Sequence, residues 1–286
     1  MKKVAIMVDS TCCLPQELID QYEIHLLPIH ILYEDKSYRD RIDISHGEVY
    51  KIMRKKENLP TTSTPSPGDF LDAYRQLSEK AENIFCITVT ALQSKTFEAA
   101  SLAKQIAAEL FPKTHIEVFD SRAVAGALGF ITLEAAKAAS HGASLDKVTE
   151  IAKSIRDKVN ALFMLDTLYY LARTGRIARA AAWAGKLLNL KPVLEHSPAI
   201  GETTPVARPR NRENAIKLML KIMTERVKNS RVHAMVHHAD DLAEGQKLMK
   251  EIGSRFDCAE LYITEFTPGM GVHTGPGLLG ITFYKD

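Results

Sequence analysis

Ile84-Phe85-Cys86-Ile87-Thr88-Val89 is an uncharged apolar run. It leads through Gln93-Ser94-Lys95-Thr96 into apolar residues recurring at Phe97, Ala100, Leu102, Ala103, Ile106 and Leu110. A short apolar run bounded by a polar turn is a buried strand, and the following 3.6-residue repeat is a helix. The same unit recurs along the first half. Val4-Ala-Ile-Met-Val8 ends at Asp9-Ser10-Thr11, and a helix starts within Leu14-Pro15-Gln-Glu-Leu-Ile19. Ile24 to Leu32 reads as a second strand. His115-Ile-Glu-Val-Phe119 is followed by Asp120-Ser121 and an alanine-rich helix to about Ser140. Strand, polar turn and helix in repetition predict an α/β fold whose N-terminal part has a mainly parallel sheet flanked by helices. Ligands of such sheets sit beyond the carboxyl ends of the strands, where Asp9-Ser10-Thr11, Ser94-Thr96 and Asp120-Ser121 fall.

A helix over Ser144 to Lys158 and a strand at Ala161-Leu-Phe-Met-Leu165 follow. From Thr167 the texture changes to a basic, alanine-rich helical region reaching Leu190. A stretch marked by proline and arginine (Pro205 to Arg212) and a helix from Asn214 to about Lys228 come next. Val232-His-Ala-Met-Val236, Leu261-Tyr-Ile-Thr264 and Leu279-Gly-Ile-Thr-Phe283 are strand candidates. The reading places a domain boundary near residue 160, dividing the chain into α/β domains 1–160 and 161–286.

The 286 residues are 45% hydrophobic and 25% charged, as in an ordinary globular protein. With 37 basic against 35 acidic residues the net charge is +2, so no global field favours nucleic acid. Met1-Lys-Lys precedes only five apolar residues, too few for a secretory signal, and no run approaches the ~20 residues of a membrane span. Cys12, Cys13, Cys86 and Cys258 form no CxxC pattern. A cytoplasmic protein with free thiols is expected.

Four pieces carry candidate chemistry. In Thr62-Ser-Thr-Pro-Ser-Pro-Gly-Asp-Phe70, Ser66 is a good N-cap, Pro67 suits the first helical position and Asp69 completes a capping box. Hydroxyls and free N–H groups beside a helix N-terminus suit a carboxylate or phosphate, although helix capping alone also accounts for them. His273-Thr-Gly-Pro-Gly277 offers a histidine and close backbone approach, or simply a turn before a strand. Arg173-Thr-Gly-Arg176 places two arginines around a glycine, where solvation is the ordinary account. Gly126 and Gly129, at i and i+3 of a helical pattern, each cost about 1 kcal/mol, which close packing of protein or ligand would offset.

In this order these segments resemble the DegV family of bacterial fatty-acid-binding proteins. The resemblance spans essentially the whole chain: Asp9-Ser-Thr…Leu14-Pro15, the Thr62 segment, Ser94-Lys-Thr-Phe…Ala100, Asp120-Ser-Arg and Gly126…Gly129. It continues through Thr167-Leu…Leu171…Gly175-Arg176-Ile177, Leu188…Lys191-Pro192 and His273-Thr-Gly-Pro-Gly. It implies two α/β domains holding a long-chain fatty acid, and a carrier that is not an enzyme. That carrier presents the acid to a separate fatty acid kinase for lipid synthesis, with no other cofactor or metal. Transient contact with a membrane surface is compatible with this role.

By position, the family's carboxylate-binding threonine, serine and histidine fall on Thr62 (with Ser63 beside it), Ser94 and His273, and its GGRI arginine on Arg176. This chain departs from the pattern at three places. Lys95 replaces a glycine beside Ser94, Cys12 and Cys13 replace small and acidic residues, and Ala178 stands where serine is common. Ile29, Phe97, Gly126, Gly129 and Phe130 are expected near the tail. Arg173, Arg208 and Arg210 are the docking candidates within a basic set that also holds Arg176, Arg179, Lys186, Lys191 and Arg212.

Three other classes compete. Ser94, His273 and Asp120 could form a lipid-ester hydrolase triad, but no Gly-x-Ser-x-Gly elbow is present. Asp9-Ser-Thr after a strand could hold a nucleotide or phosphate, but no glycine-rich or Walker motif accompanies it. His237-His238 with Asp240 could bind metal, but adjacent strand residues face opposite ways.

Overall fold

The structure is a computed structural model describing residues 2–177 and 190–286. Its first sheet contains β1 (Lys2–Asp9), β2 (His25–Leu27), β6 (Ala81–Thr88) and β7 (His115–Asp120), all parallel, in the order β2-β1-β6-β7. A small antiparallel sheet, β4 (Lys36–Arg39), β3 (His30–Tyr33) and β5 (Thr61–Ser63), stands beside it. A six-stranded sheet has the order β10-β9-β8-β13-β11-β12. It consists of β8 (Asn160–Met164), β9 (Val193–Ser197), β10 (Glu202–Ala207), β11 (Val232–His238), β12 (Cys258–Glu265) and β13 (Leu279–Lys285). Only its β11–β12 pair is parallel.

The helices described are α1 (Gln16–Gln21), α2 (His46–Lys55), α3 (Pro67–Ser78), α4 (Thr96–Leu110), α5 (Ala125–Ser140), α6 (Leu145–Lys158) and α7 (Tyr169–Arg173). They continue with α8 (Arg212–Val227), α9 (Leu242–Arg255) and α10 (Pro268–Thr274). None is long and apolar enough to cross a membrane. One hydrophobic cluster joins β1 and β6 to α5, α6 and parts of the six-stranded sheet, among them Phe163, Leu194 and Met235. The two larger sheets thus share buried surface around α5.

Three readings change. The run Ile24–Leu32 is two strands in different sheets, because Pro28 lacks an N–H for the ladder and Ile29 N donates instead to Ser10 Oγ at 3.1 Å. The helix after Ser94 is real, but it turns Ala100, Ala103 and Ala107 inward and leaves Leu102 (49%), Ile106 (42%) and Leu110 (52%) exposed. Small residues let α3 come close, and Tyr74 OH donates to Ala100 O at 3.2 Å. Pro205, the start of the stretch marked by proline and arginine, lies inside β10; an edge strand that pairs with β9 alone among the described strands tolerates it.

β1 connects to β2 on one side, while its other neighbour is β6, so the strand order reverses between β1 and β6. This is the switch point at which open α/β sheets hold ligands. Asp9 ties the two strand ends together: its carboxylate accepts from Val89 N at 2.7 Å and Thr11 N at 3.1 Å. Ser10 Oγ donates to Asp40 Oδ2 at 2.6 Å, and Asp40 Oδ1 accepts from Gly269 N at 2.8 Å, docking α10 over the same edge.

Candidate functional site

Beyond the switch point lies a cavity of about 490 Å³, within the range of small-molecule sites. Its wall draws on all three sheets: Val89 after β6, Thr62 on β5, Phe163 on β8 and Leu194 on β9. α10 adds Met270 and His273, and Phe266 and Leu278 come from loops flanking it. Most of the wall is aliphatic or aromatic, and the polar residues on it are mainly uncharged hydroxyls.

Thr62, Ser63, Ser94, His273 and Arg176 all line this one cavity. Thr62 is presented by β5, whose pairing with β3 sets Thr62 opposite Ile31. Its Oγ1 lies 2.9 Å from His273 Nε2, the penultimate residue of α10. α10 stops there because Gly275 takes φ +71, and a methyl group on Gly275 would lie 2.2 Å from the Tyr170 ring.

Burial pushes the His273 imidazole down to about 3, with Arg176 and Arg173 adding to the shift, so the ring is neutral at pH 7. Its Nδ1 is buried without a partner. A neutral imidazole carries one proton, so either His273 donates to Thr62, freeing the threonine O–H, or Thr62 donates to His273 and Nδ1–H is free. Each tautomer leaves one unused donor. The two arginines make the potential there positive.

Ser94 Oγ accepts from Thr96 N at 3.3 Å and lies 2.8 Å from Thr96 Oγ1. With Thr96 donating, the Ser94 hydroxyl proton stays free for a ligand acceptor. Lys95 lines the cavity, and its ammonium is neutralised by Glu98 at 2.6 Å on the surface.

The other expected residues are elsewhere. Ile29 lines the cavity, whereas Phe97, Phe130, Gly126 and Gly129 do not. The two glycines serve protein packing. A methyl group at Gly126 would lie 2.3 Å from His237 Nε2, and one at Gly129 2.6 Å from Cys12 O. Phe130 packs edge-on against Tyr284 at 5.2 Å. The N-terminus of α3 is capped as read, with Ser66 N donating to Asp69 Oδ2 at 2.7 Å. Asp69 already supplies the negative charge there, and neither Ser66 nor Asp69 lines the cavity, so that helix end is not its anion site.

Arg173 is exposed but engaged, donating to the carbonyls of Leu59 (3.4 Å) and Pro60 just before β5. Lys191 and Arg212 bind Asp166 at 2.9 and 3.1 Å, which removes them from a docking face. Arg208 and Arg210 lie exposed after β10. Ala178, Arg179, Lys186 and Leu188 fall outside the described residues.

The competing chemistries lack geometry. The triad is not assembled: His273 Nε2 faces Thr62, Ser94 faces Thr96, and Asp120 Oδ1 accepts from Arg122 N at 2.9 Å. Asp9-Ser10-Thr11 is buried and self-satisfied beside two carboxylates, an unfavourable place for phosphate. His237 contacts Thr282 at 3.0 Å, while His238 lies against Gly245. Glu134, His233 and Glu260 cluster closely enough for a cation, but Lys137 already holds both glutamates at 2.7 and 2.6 Å.

Sequence reading missed Gln93, Thr203, Phe163, Leu194 and Met270 as wall residues. Gln93 adjoins a site serine and was within reach. Thr203, Phe163 and Leu194 come from the six-stranded sheet and Met270 from α10, elements whose juxtaposition no local pattern encodes.

Fold and cavity together define an α/β ligand-binding protein whose site suits an amphiphile with a small anionic head. The chain belongs to the DegV family, described as uncharacterised proteins, whose pattern matches residues 3–286. Protein DegV of Bacillus subtilis is 30% identical over 280 residues, covering 97% of this chain and 98% of that protein. The structure resembles a fatty-acid-binding DegV family protein of Thermus thermophilus (TM-score 0.91, 30% identity, all of both chains). It also resembles a stearic-acid-binding protein of Eubacterium ventriosum (TM-score 0.89, 27% identity, 100% of this chain and 98% of that one).

Proposed function

We propose that the protein is a carrier that binds a long-chain fatty acid and presents its carboxyl group to a fatty acid kinase. The observation supporting this most strongly is one mainly apolar cavity whose wall bears Ser94 and the Thr62–His273 pair with a spare donor. Fatty-acid binding in similar DegV proteins from Thermus thermophilus and Eubacterium ventriosum supports the same reading.

The energetics divide between tail and head. Each buried methylene contributes about 0.8 kcal/mol, so ten give roughly 8 kcal/mol before ordering costs. A buried carboxylate must be hydrogen-bonded, which the free proton of the Thr62–His273 pair and the Ser94 hydroxyl provide. With Arg176 on the wall and paired with no carboxylate among the described residues, the head group is held without a tight ion pair and stays transferable. The proposed units 1–160 and 161–286 would each supply part of this wall. We assign kinase docking to the exposed Arg208 and Arg210 after β10. Organic extraction of the purified protein followed by mass spectrometry tests the ligand. One long-chain acid per chain is expected, and a protein that is empty and cannot be loaded refutes it. Coupled phosphorylation with a purified fatty acid kinase tests presentation, which fails if loaded protein yields no acyl phosphate.

A further inference from the structure

Leu92 and Lys95 both line the cavity and are both exposed, Leu92 at 64%, so the cavity meets solvent beside this turn. Gln93, between them, is partly buried and bridges the opening. Its Nε2 donates to Thr203 Oγ1 on β10 at 3.2 Å, and both residues line the cavity. Thr203 Oγ1 lies 3.0 Å from His196 Nδ1 on β9, and His196 Nε2 lies 3.0 Å from Arg122 O.

The proton bookkeeping gives this chain one direction. Arg122 O can only accept, so neutral His196 carries its proton on Nε2 and Nδ1 must accept the threonine proton, which leaves Thr203 Oγ1 to accept from Gln93. His196 is fully buried, and burial keeps its ring neutral, as one-way donation requires. A second tie runs parallel, from Thr90 Oγ1 to Gly201 O at 2.9 Å. Gly201 at φ +71 forms the hairpin turn, and a methyl group there would lie 3.1 Å from both Leu92 and Thr90.

The loops after β6 and β7 are therefore fastened to the β9–β10 hairpin at the edge of the six-stranded sheet. Among the described strands β10 pairs with β9 alone, so the hairpin at this sheet edge is the element that can lift. Ile200, at the hairpin tip, is exposed at 44%.

We infer that Gln93 and Thr203 are positioning residues of a clasp across the cavity opening. The clasp keeps the adjoining Ser94 turn in place and sets the rate at which a ligand enters and leaves. The inference rests on the fatty-acid reading of the cavity. A clasp raises the barrier to passage in both directions, so weakening it speeds uptake and release together and changes affinity much less. A residue that only contacted bound ligand would change release alone.

The test is stopped-flow fluorescence of the full-length protein with cis-parinaric acid, measuring uptake directly and release into excess phosphatidylcholine vesicles. Thr203→Val removes the hydroxyl at nearly constant shape, Thr203→Ser keeps it, and Gln93→Leu removes the first donor while sparing the Thr203–His196 contact. If Thr203→Val folds poorly because His196 loses its partner, Gln93→Leu carries the test. Loss of one hydrogen bond should speed uptake and release by roughly five-fold or more in Thr203→Val and Gln93→Leu, with Thr203→Ser close to wild type. The double variant Gln93→Leu/Thr203→Val should be no faster than the faster single variant. Wild-type exchange rates in Gln93→Leu, or release that rises while uptake stays constant, overturn the clasp alone. Failure of the wild-type protein to bind cis-parinaric acid or any long-chain acid overturns the fatty-acid reading, and the clasp with it.

Discussion

Replacing Gly126 by alanine separates protein packing from ligand contact and sets two physical effects against each other. Gly126 lies in the first turn of α5, where alanine is intrinsically better by about 1 kcal/mol. The added methyl, however, would lie 2.3 Å from His237 Nε2, 2.6 Å from Cε1 and 2.9 Å from Thr282 Oγ1. The His237 ring cannot move freely, because it sits between Phe163 and Phe266 with centroids at 6.2 and 5.4 Å. Overpacking of this kind costs about 1–3 kcal/mol. Displacing His237 also breaks its 3.0 Å contact with Thr282, and since Nδ1 already lacks a partner the ring would have none. That loss costs about 1–3 kcal/mol more. The net expectation is a destabilisation of roughly 1–5 kcal/mol. Urea unfolding should show a lower midpoint at unchanged slope. Because Gly126 is not on the cavity wall, the folded variant should bind fatty acid nearly as wild type does. A midpoint equal to or above wild type would refute the packing argument. Lost affinity at unchanged stability would return Gly126 to the ligand.

Further expectations concern the head group, acid stability and docking. Thr62→Val should weaken binding of a long-chain acid by about 1–3 kcal/mol, since it removes one partner of the His273 pair while the tail contribution persists; equal affinity by isothermal titration would exclude that pair from the head-group site. Burial holds His273 and His237 near 3 and His196 near 4, against 6.5 when unfolded. Their stabilisation is complete above pH 6.5 and is lost as pH falls toward those values, at up to about 4 kcal/mol per pH unit for three protons. The raised pKa values of buried Asp9 and Asp40 act in the opposite sense and reduce that slope. Urea midpoints unchanged between pH 7.5 and 5 would contradict this. Reversing the charge at Arg210 should lower kinase-coupled phosphorylation with lipid affinity intact; equal loss of both would remove Arg210 from docking.

The local patterns of the sequence were strong enough to give the parallel sheet, the capped start of α3 and the helices after Ser94 and Asp120. Strand β3 was hidden because Ile24–Leu32 is apolar apart from His25 and His30, and the tertiary partner of Ile29 reveals the break at Pro28. The inward face of α4 was misread because packing against α3 favours alanine over leucine, the reverse of an ordinary amphipathic helix. Thr62, Ser94 and His273 could be named from their motifs, but their shared cavity depends on three sheets meeting. Gly126 and Gly129 were legible as close approaches, although not as approaches to His237 and Cys12. The wall residues Phe163, in a mainly apolar strand, and Leu194, in the short mixed strand β9, carry no local mark at all.

The central claim is one saturable site in which tail burial supplies affinity and the Thr62, Ser94 and His273 groups select a carboxylate. Calorimetric titration of delipidated protein with stearic acid and with its methyl ester tests both parts at once. The account predicts one site per chain, with the acid bound more tightly than the ester. Equal affinity of acid and ester, or no saturable binding of either, would contradict it.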